Sequence, residues 1–133
     1  MNAVFLDTVG LLAAWNTADS WHAEADAALR RLVAARARLI TTEFILLECG
    51  NAAARSDLRG DVVAVRQQMS GAGDLIAPTE TDLVSAWRAY ALARPGGPSL
   101  VDEVSFAVMR RLRITAALTN DRHFRAAGFE VLF

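Results

Sequence analysis

Short apolar runs alternate with longer segments of helical character along this chain. Ala3-Val4-Phe5-Leu6 is an unbroken apolar run closed by Asp7, and its β-branched and aromatic content predicts a buried parallel strand. Residues 8–15 read as a short helix, ended by the polar turn Asn16-Thr17-Ala18-Asp19. Ser20 is the expected N-cap of an Ala-rich helix over 21–36, with Glu24 in its first turn. Leu39-Ile40-Thr41-Thr42 predicts a second strand. Thr42 then caps a helix that runs through Phe44, Leu47, Glu48 and Ala52 to about Arg55.

A further helix extends from about Asp57 to Met69 and stops at Ser70-Gly71-Ala72-Gly73. Leu75-Ile76-Ala77 is a third strand closed by Pro78, and Thr79 caps a helix over 80–93. Arg94-Pro95-Gly96-Gly97-Pro98 is a loop, after which Ser99 caps a helix over 100–112. Ala116-Ala117-Leu118-Thr119 gives a fourth strand, a helix of one to two turns follows Asp121, and Phe129 to Phe133 form the last strand. Strands alternating with helices predict an α/β fold with a mostly parallel central sheet and helices on both faces. With no repeat, low-complexity tract or linker, residues 1–133 read as one domain.

Composition narrows the class. At 53% hydrophobic and 22% charged residues, the chain is globular rather than disordered. The single cysteine, Cys49, leaves no intramolecular disulfide and suits a reducing cytosol. The first seven residues lack a basic n-region, and no stretch approaches the roughly 18 apolar residues of a membrane span, so a cytoplasmic protein without membrane association is expected. A formal net charge of −1 argues against a generally basic nucleic-acid coat. All 14 basic residues are arginine, which excludes any mechanism that needs a catalytic lysine.

The carboxylates carry the chemistry. In open parallel sheets, ligands bind beyond the carboxyl ends of the strands, near the point where strand order reverses. Asp7 ends the first strand and Asp121 lies just past the fourth. Glu48 sits in the second turn of the helix entered from the second strand, and Asp102 in the first turn of the helix after the Gly/Pro loop. Taken singly, Asp102 reads as a capping-box acid, Asp121 and Asp7 as N-caps, and Glu48 as a solvated helix position. Taken together, four acids from four distant segments can share one rim, where their mutual repulsion calls for a cation. Oxygen ligands without a Cys or His partner select Mg²⁺ or Mn²⁺ over zinc, and such a site hydrolyses phosphodiesters. Rival acidic-site folds fail on their own requirements. Val9 stands where a haloacid-dehalogenase-like phosphatase needs a second Asp, and a response-regulator receiver needs a lysine. Phosphate-cradling glycine motifs are absent.

Val4-Phe5-Leu6-Asp7-Thr8, Thr42-Glu43-Phe44-Ile45-Leu46-Leu47-Glu48, Ser99-Leu100-Val101-Asp102, Thr119-Asn120-Asp121-Arg122-His123-Phe124 and Ala127-Gly128-Phe129-Glu130-Val131-Leu132 occur in that order. Jointly they resemble the PIN-domain ribonucleases, especially VapC-like toxins, over essentially the whole chain. The resemblance implies a cytoplasmic Mg²⁺- or Mn²⁺-dependent endoribonuclease, usually a homodimer and often inhibited by a small antitoxin protein. It carries the acidic site onto Asp7, Glu48, Asp102 and Asp121, with Thr8, Ser99 and Thr119 as supporting hydroxyls. Competing readings are a housekeeping or DNA-directed nuclease and a catalytically inactive PIN-like interaction module. Retention of four mutually repelling acids weighs against the last.

Other polar residues take lesser expectations. Glu43 lies five positions before Glu48, about 140° further round the helix, so the two do not serve one ion. Glu43 favours the helix N-terminus instead. Glu103 beside Asp102 is either an additional ligand or an exposed position. His123 is expected to be structural, because a metal site needs no imidazole base. His22 reads as a surface or packing residue. Arg55, Arg59, Arg122 and Arg125 are candidates for contacts to an RNA backbone, balanced evenly against solvated helix faces. Trp15, Trp21 and Trp87 are assigned to core or dimer packing in preference to base stacking.

Overall fold

The computed structural model describes residues 3–133. Strands β1 (Ala3–Leu6), β2 (Arg38–Thr42), β3 (Leu75–Ile76), β4 (Ala116–Leu118) and β5 (Glu130–Val131) form one parallel sheet in the order β3-β2-β1-β4-β5. Central β1 pairs on both sides, with Phe5 opposite Ile40 and Ala117. Val4, Phe5 and Leu6 are all buried, which explains why this strand is apolar without alternation.

From β1 the chain steps outward to β2 and β3 through helices α1 (Thr8–Trp15), α2 (His22–Ala34), α3 (Glu43–Ala52) and α4 (Arg59–Ala72). It then returns past the centre to β4 through α5 (Glu80–Leu92) and α6 (Leu100–Arg111), and α7 (Arg122–Ala126) leads on to β5. Right-handed crossovers running in opposite directions place α1–α4 on one face and α5–α7 on the other. Strand order therefore reverses between β1 and β4, and their C-terminal ends open a crevice there. On the second face, Phe106 of α6 packs edge-on to Phe124 of α7 with centroids 4.9 Å apart, and Phe129 completes the aromatic cluster. That cluster fixes α7, and with it Asp121, against the sheet.

Helix α1 lies unusually close to β4. A Cβ on Gly10 would sit 2.0 Å from the Leu118 carbonyl oxygen, so only glycine fits.

Element types match the sequence pattern throughout, and several boundaries differ for local reasons. Ser20 does not cap α2; Asp19 instead accepts from the Trp21 N–H at 2.8 Å, and the helix starts at His22. Helix α3 ends at Ala52 rather than near Arg55. Helix α4 continues through Gly71 and stops at Gly73, whose φ of 76° supplies the left-handed turn while Asp74 N–H bonds Met69 O. Phe129 is claimed by the aromatic cluster, so the last strand shrinks to Glu130–Val131. No helix among the described residues is long and apolar enough to cross a membrane.

Candidate active site

Asp7 is 3% exposed at the end of β1. Its backbone opens α1, yet its side chain makes no capping bond and is left free for another use. The Thr119 hydroxyl donates to Asp7 Oδ2 at 2.8 Å. Burial pushes the Asp7 carboxyl up to about 7; the Thr119 bond opposes this rise, and the negative charges of Asp102 and Asp121 reinforce it.

The other three acids arrive from separate helices. Thr8 Oγ1 donates to Glu48 Oε1 at 2.6 Å, tying the start of α1 to the second turn of α3. Asp102 closes a capping box at the head of α6. Its Oδ2 accepts from Ser99 N–H at 3.0 Å, and its own N–H donates to Ser99 Oγ at 3.1 Å. This leaves Oδ1 unclaimed by the cap. Partial burial raises the Asp102 carboxyl, Ser99 opposes the rise, and the charges of Asp121 and Glu48 add to it. Asp121 caps α7 through the His123 N–H at 2.8 Å, while its own N–H donates to Thr119 Oγ1 at 3.1 Å. Asp7 thus feels Asp102 and Asp121, and Asp102 feels Asp121 and Glu48. Of the four predicted acids, Asp102 and Asp121 come within ligand-sharing distance of each other, while Asp7 and Glu48 lie outside that close group and act on it through their charge.

His123 stands closer to this rim than its expected structural role implies. One ligand atom each from Asp102, Asp121 and His123 lie within 4.8 Å of one another. His123 Nδ1 is 3.3 Å from Asp121 Oδ1, and its Nε2 is 3.0 Å from the Gly96 carbonyl oxygen. A carbonyl only accepts, so Nε2 donates to Gly96, and Nδ1 is the ring nitrogen that faces Asp121. The usable signal in the sequence was its position two residues after an acid, inside the same short helix. Carboxylate oxygens, one of them strongly desolvated, with at most one imidazole, make a donor set that fits a hard divalent cation.

Neighbouring residues divide between this rim and ordinary structural work. Cys49, fully buried on α3, has its thiol pushed up to about 12 by burial, with Asp7 and Glu48 adding to the effect, so it is an inert thiol. Glu43 is ion-paired to Arg66 of α4 at 2.9 Å and lies outside the acidic group, as its helical phase requires. Glu103 is neither exposed nor in the ligand group: it is buried, and the nearby Arg110 guanidinium offsets part of the rise that burial gives its carboxyl. Arg59 donates to Ala54 O at 2.6 Å and closes the turn after α3. Arg55, Arg122 and Arg125 are exposed and form no ion pair among the described residues. Trp15 packs against the core, whereas Trp21 and Trp87 are 48% and 58% exposed and are not core residues. His22 packs as expected, with Nδ1 2.9 Å from Ala13 O.

The sequence matches the family described as PIN domain over residues 4–130. Among solved structures, that of the Mycobacterium tuberculosis toxin VapC20, described as cleaving the sarcin–ricin loop, is similar at 28% identity and a TM-score of 0.80. The match covers 96% of this chain and 96% of that one. A comparison with curated proteins finds no match.

Proposed function

The chain belongs to the PIN domain family, and from that premise we propose that it is a divalent-metal-dependent endoribonuclease acting as the toxin of a toxin–antitoxin pair. What supports this reading is the close approach of Asp102 and Asp121, whose charges, with those of Asp7 and Glu48, act on one another beside the desolvated Asp7. Likeness across 96% of both chains to a toxin described as cleaving an RNA element favours RNA over DNA as the substrate. An inactive interaction module gives no reason to keep four carboxylates whose charges repel one another.

Asp7, Glu48, Asp102 and Asp121 would hold Mg²⁺ or Mn²⁺, with Thr8, Ser99 and Thr119 orienting the carboxylates. When bound, such an ion polarises a phosphodiester and acidifies the attacking water. Loading requires Asp7 to release its proton, and the Thr119 hydroxyl then holds the ionised Oδ2 in place. Ser99 engages Asp102 Oδ2 in the capping box, which leaves Oδ1 available to an ion. No side chain is assigned as a dedicated general base. The nuclease unit takes up residues 1–133, acts in the cytoplasm as a homodimer, and is restrained by a small antitoxin protein.

Incubating the protein with total cellular RNA, with and without Mg²⁺ or Mn²⁺ and alongside Asp7→Asn, tests the reading. Discrete metal-dependent cuts that vanish in the variant are expected. Equal activity in both proteins, or none with any metal, overturns it.

A further inference from the structure

Beside the acidic rim, between the C-terminal end of α5 and the head of α6, lies a groove of about 440 Å³. Tyr90, Ala93, Arg94, the turn at 95–98 and Ser99 line it. Its volume falls in the range of roughly 300–1,000 Å³ typical of pockets for small ligands. Although rich in glycine and proline, the turn is well defined. Gly97 N–H donates to Arg94 O at 3.0 Å, Pro95 takes the second position, and Gly96 takes the third with φ of 87°. This is the signature of a type II turn.

Two residues join the groove to the rim. His123 Nε2 holds the Gly96 carbonyl while Nδ1 faces Asp121. Ser99 lines the groove and also caps α6 through Asp102. The charge changes sign across that boundary. Arg94 is the only charged residue lining the groove, and it has no ion-pair partner among the described residues. Tyr90 is 47% exposed, and Trp87 supports it in an edge-to-face pair with centroids 6.3 Å apart.

An open aromatic ring and an unpaired guanidinium beside a phosphodiester-cleaving rim are the two devices by which proteins hold single-stranded RNA. We propose that this groove seats the nucleotide adjoining the scissile phosphate, its base stacked on Tyr90 and its phosphate on Arg94. The inference rests on the ribonuclease reading of the rim. It makes Tyr90 and Arg94 substrate-binding residues and His123 the positioning residue that fixes the turn relative to Asp121.

Binding of a short fluorescein-labelled single-stranded RNA of mixed sequence, measured in an Asp7→Asn background with Mn²⁺, tests it. Tyr90→Leu is expected to weaken binding roughly tenfold, the scale of one lost stack, while Tyr90→Phe keeps it. Arg94→Gln is expected to reduce the slope of log affinity against log salt by about 0.7, one phosphate contact to a single strand. Trp21→Leu, an exposed aromatic outside the groove, serves as the control. If Tyr90→Leu and Arg94→Gln bind like the control while the unsubstituted chain cleaves RNA, this inference alone fails. If Tyr90→Leu changes the sedimentation mass but not RNA binding, the face is a contact between copies and the inference is wrong. If the chain neither cleaves nor binds RNA, the ribonuclease reading fails first and takes the groove with it.

Discussion

The Thr119 hydroxyl donates a 2.8 Å hydrogen bond to Asp7 Oδ2 across 112 positions of sequence. Strand register makes this meeting inevitable. Leu6 pairs with Leu118, so the next residue of each strand emerges at the same level of the crevice. The same hydroxyl oxygen accepts the Asp121 N–H, so one threonine sets the positions of two acids.

Thr119→Val is expected to cost about 1–3 kcal/mol of stability, the scale for stranding a buried polar partner. The lost bond lowers the Asp7 pKa, so its removal drives that carboxyl further up. The acidic limb of the metal-dependent cleavage profile therefore moves to higher pH. Thr119→Ser restores it. Urea denaturation together with a pH–rate profile checks both effects.

The metal-free protein is expected to lose stability as pH rises. Asp7 goes from an ordinary 3.8 to about 7 in the folded chain, so the native state binds this proton more tightly than the unfolded state does. Its contribution is complete below about pH 4, declines through the interval, and is gone above about pH 7. At roughly 1.4 kcal/mol per pH unit, the upper limit is roughly 4 kcal/mol. Thermal melts in EDTA between about pH 5 and pH 8 should show the fall, and Asp7→Asn should flatten it. Mn²⁺ at the higher pH should raise the melting temperature of the parent protein.

Gly10→Ala is expected to destabilise the fold by about 3 kcal/mol or more. The added methyl meets Leu118 O at 2.0 Å and Leu118 C at 2.7 Å, both in the backbone of an inner strand that cannot retreat. Chemical denaturation measures the loss. A cost below about 1 kcal/mol would contradict this packing of α1 on β4.

Asp82→Ala is expected to cost about 2–4 kcal/mol. The buried carboxylate closes a capping box with Thr79 and accepts from Arg111 Nε at 2.9 Å, which joins α5 to α6. Asp82→Asn keeps an acceptor for the cap but discards the charge, and should lie between parent and alanine in the same measurement.

Most of the fold was legible because its signals are local. Apolar runs marked the strands, and Thr42, Thr79, Ser99 and Asp121 cap the helices that they were expected to cap. Ser20 failed because Asp19, one residue earlier, captured the chain first. Phe129 failed as a strand residue because an aromatic cluster from α6 and α7 claimed its side chain. Glu43 was set aside correctly from helical phase alone, whereas the burial of Glu103 depended on what packed over α6.

The sequence by itself determined the element order and the parallel sheet, and it singled out the four acids as candidates, because periodicity, capping and strand-end placement are properties of neighbours in the chain. Tertiary structure alone decided that Thr119 serves two of those acids, that His123 sits between Gly96 and Asp121, and that Tyr90 and Arg94 line a groove together with Ser99. These relationships join segments tens of residues apart. Only the register of β1 against β4, and the packing of α6 and α7 on the sheet, fixes the distances between them.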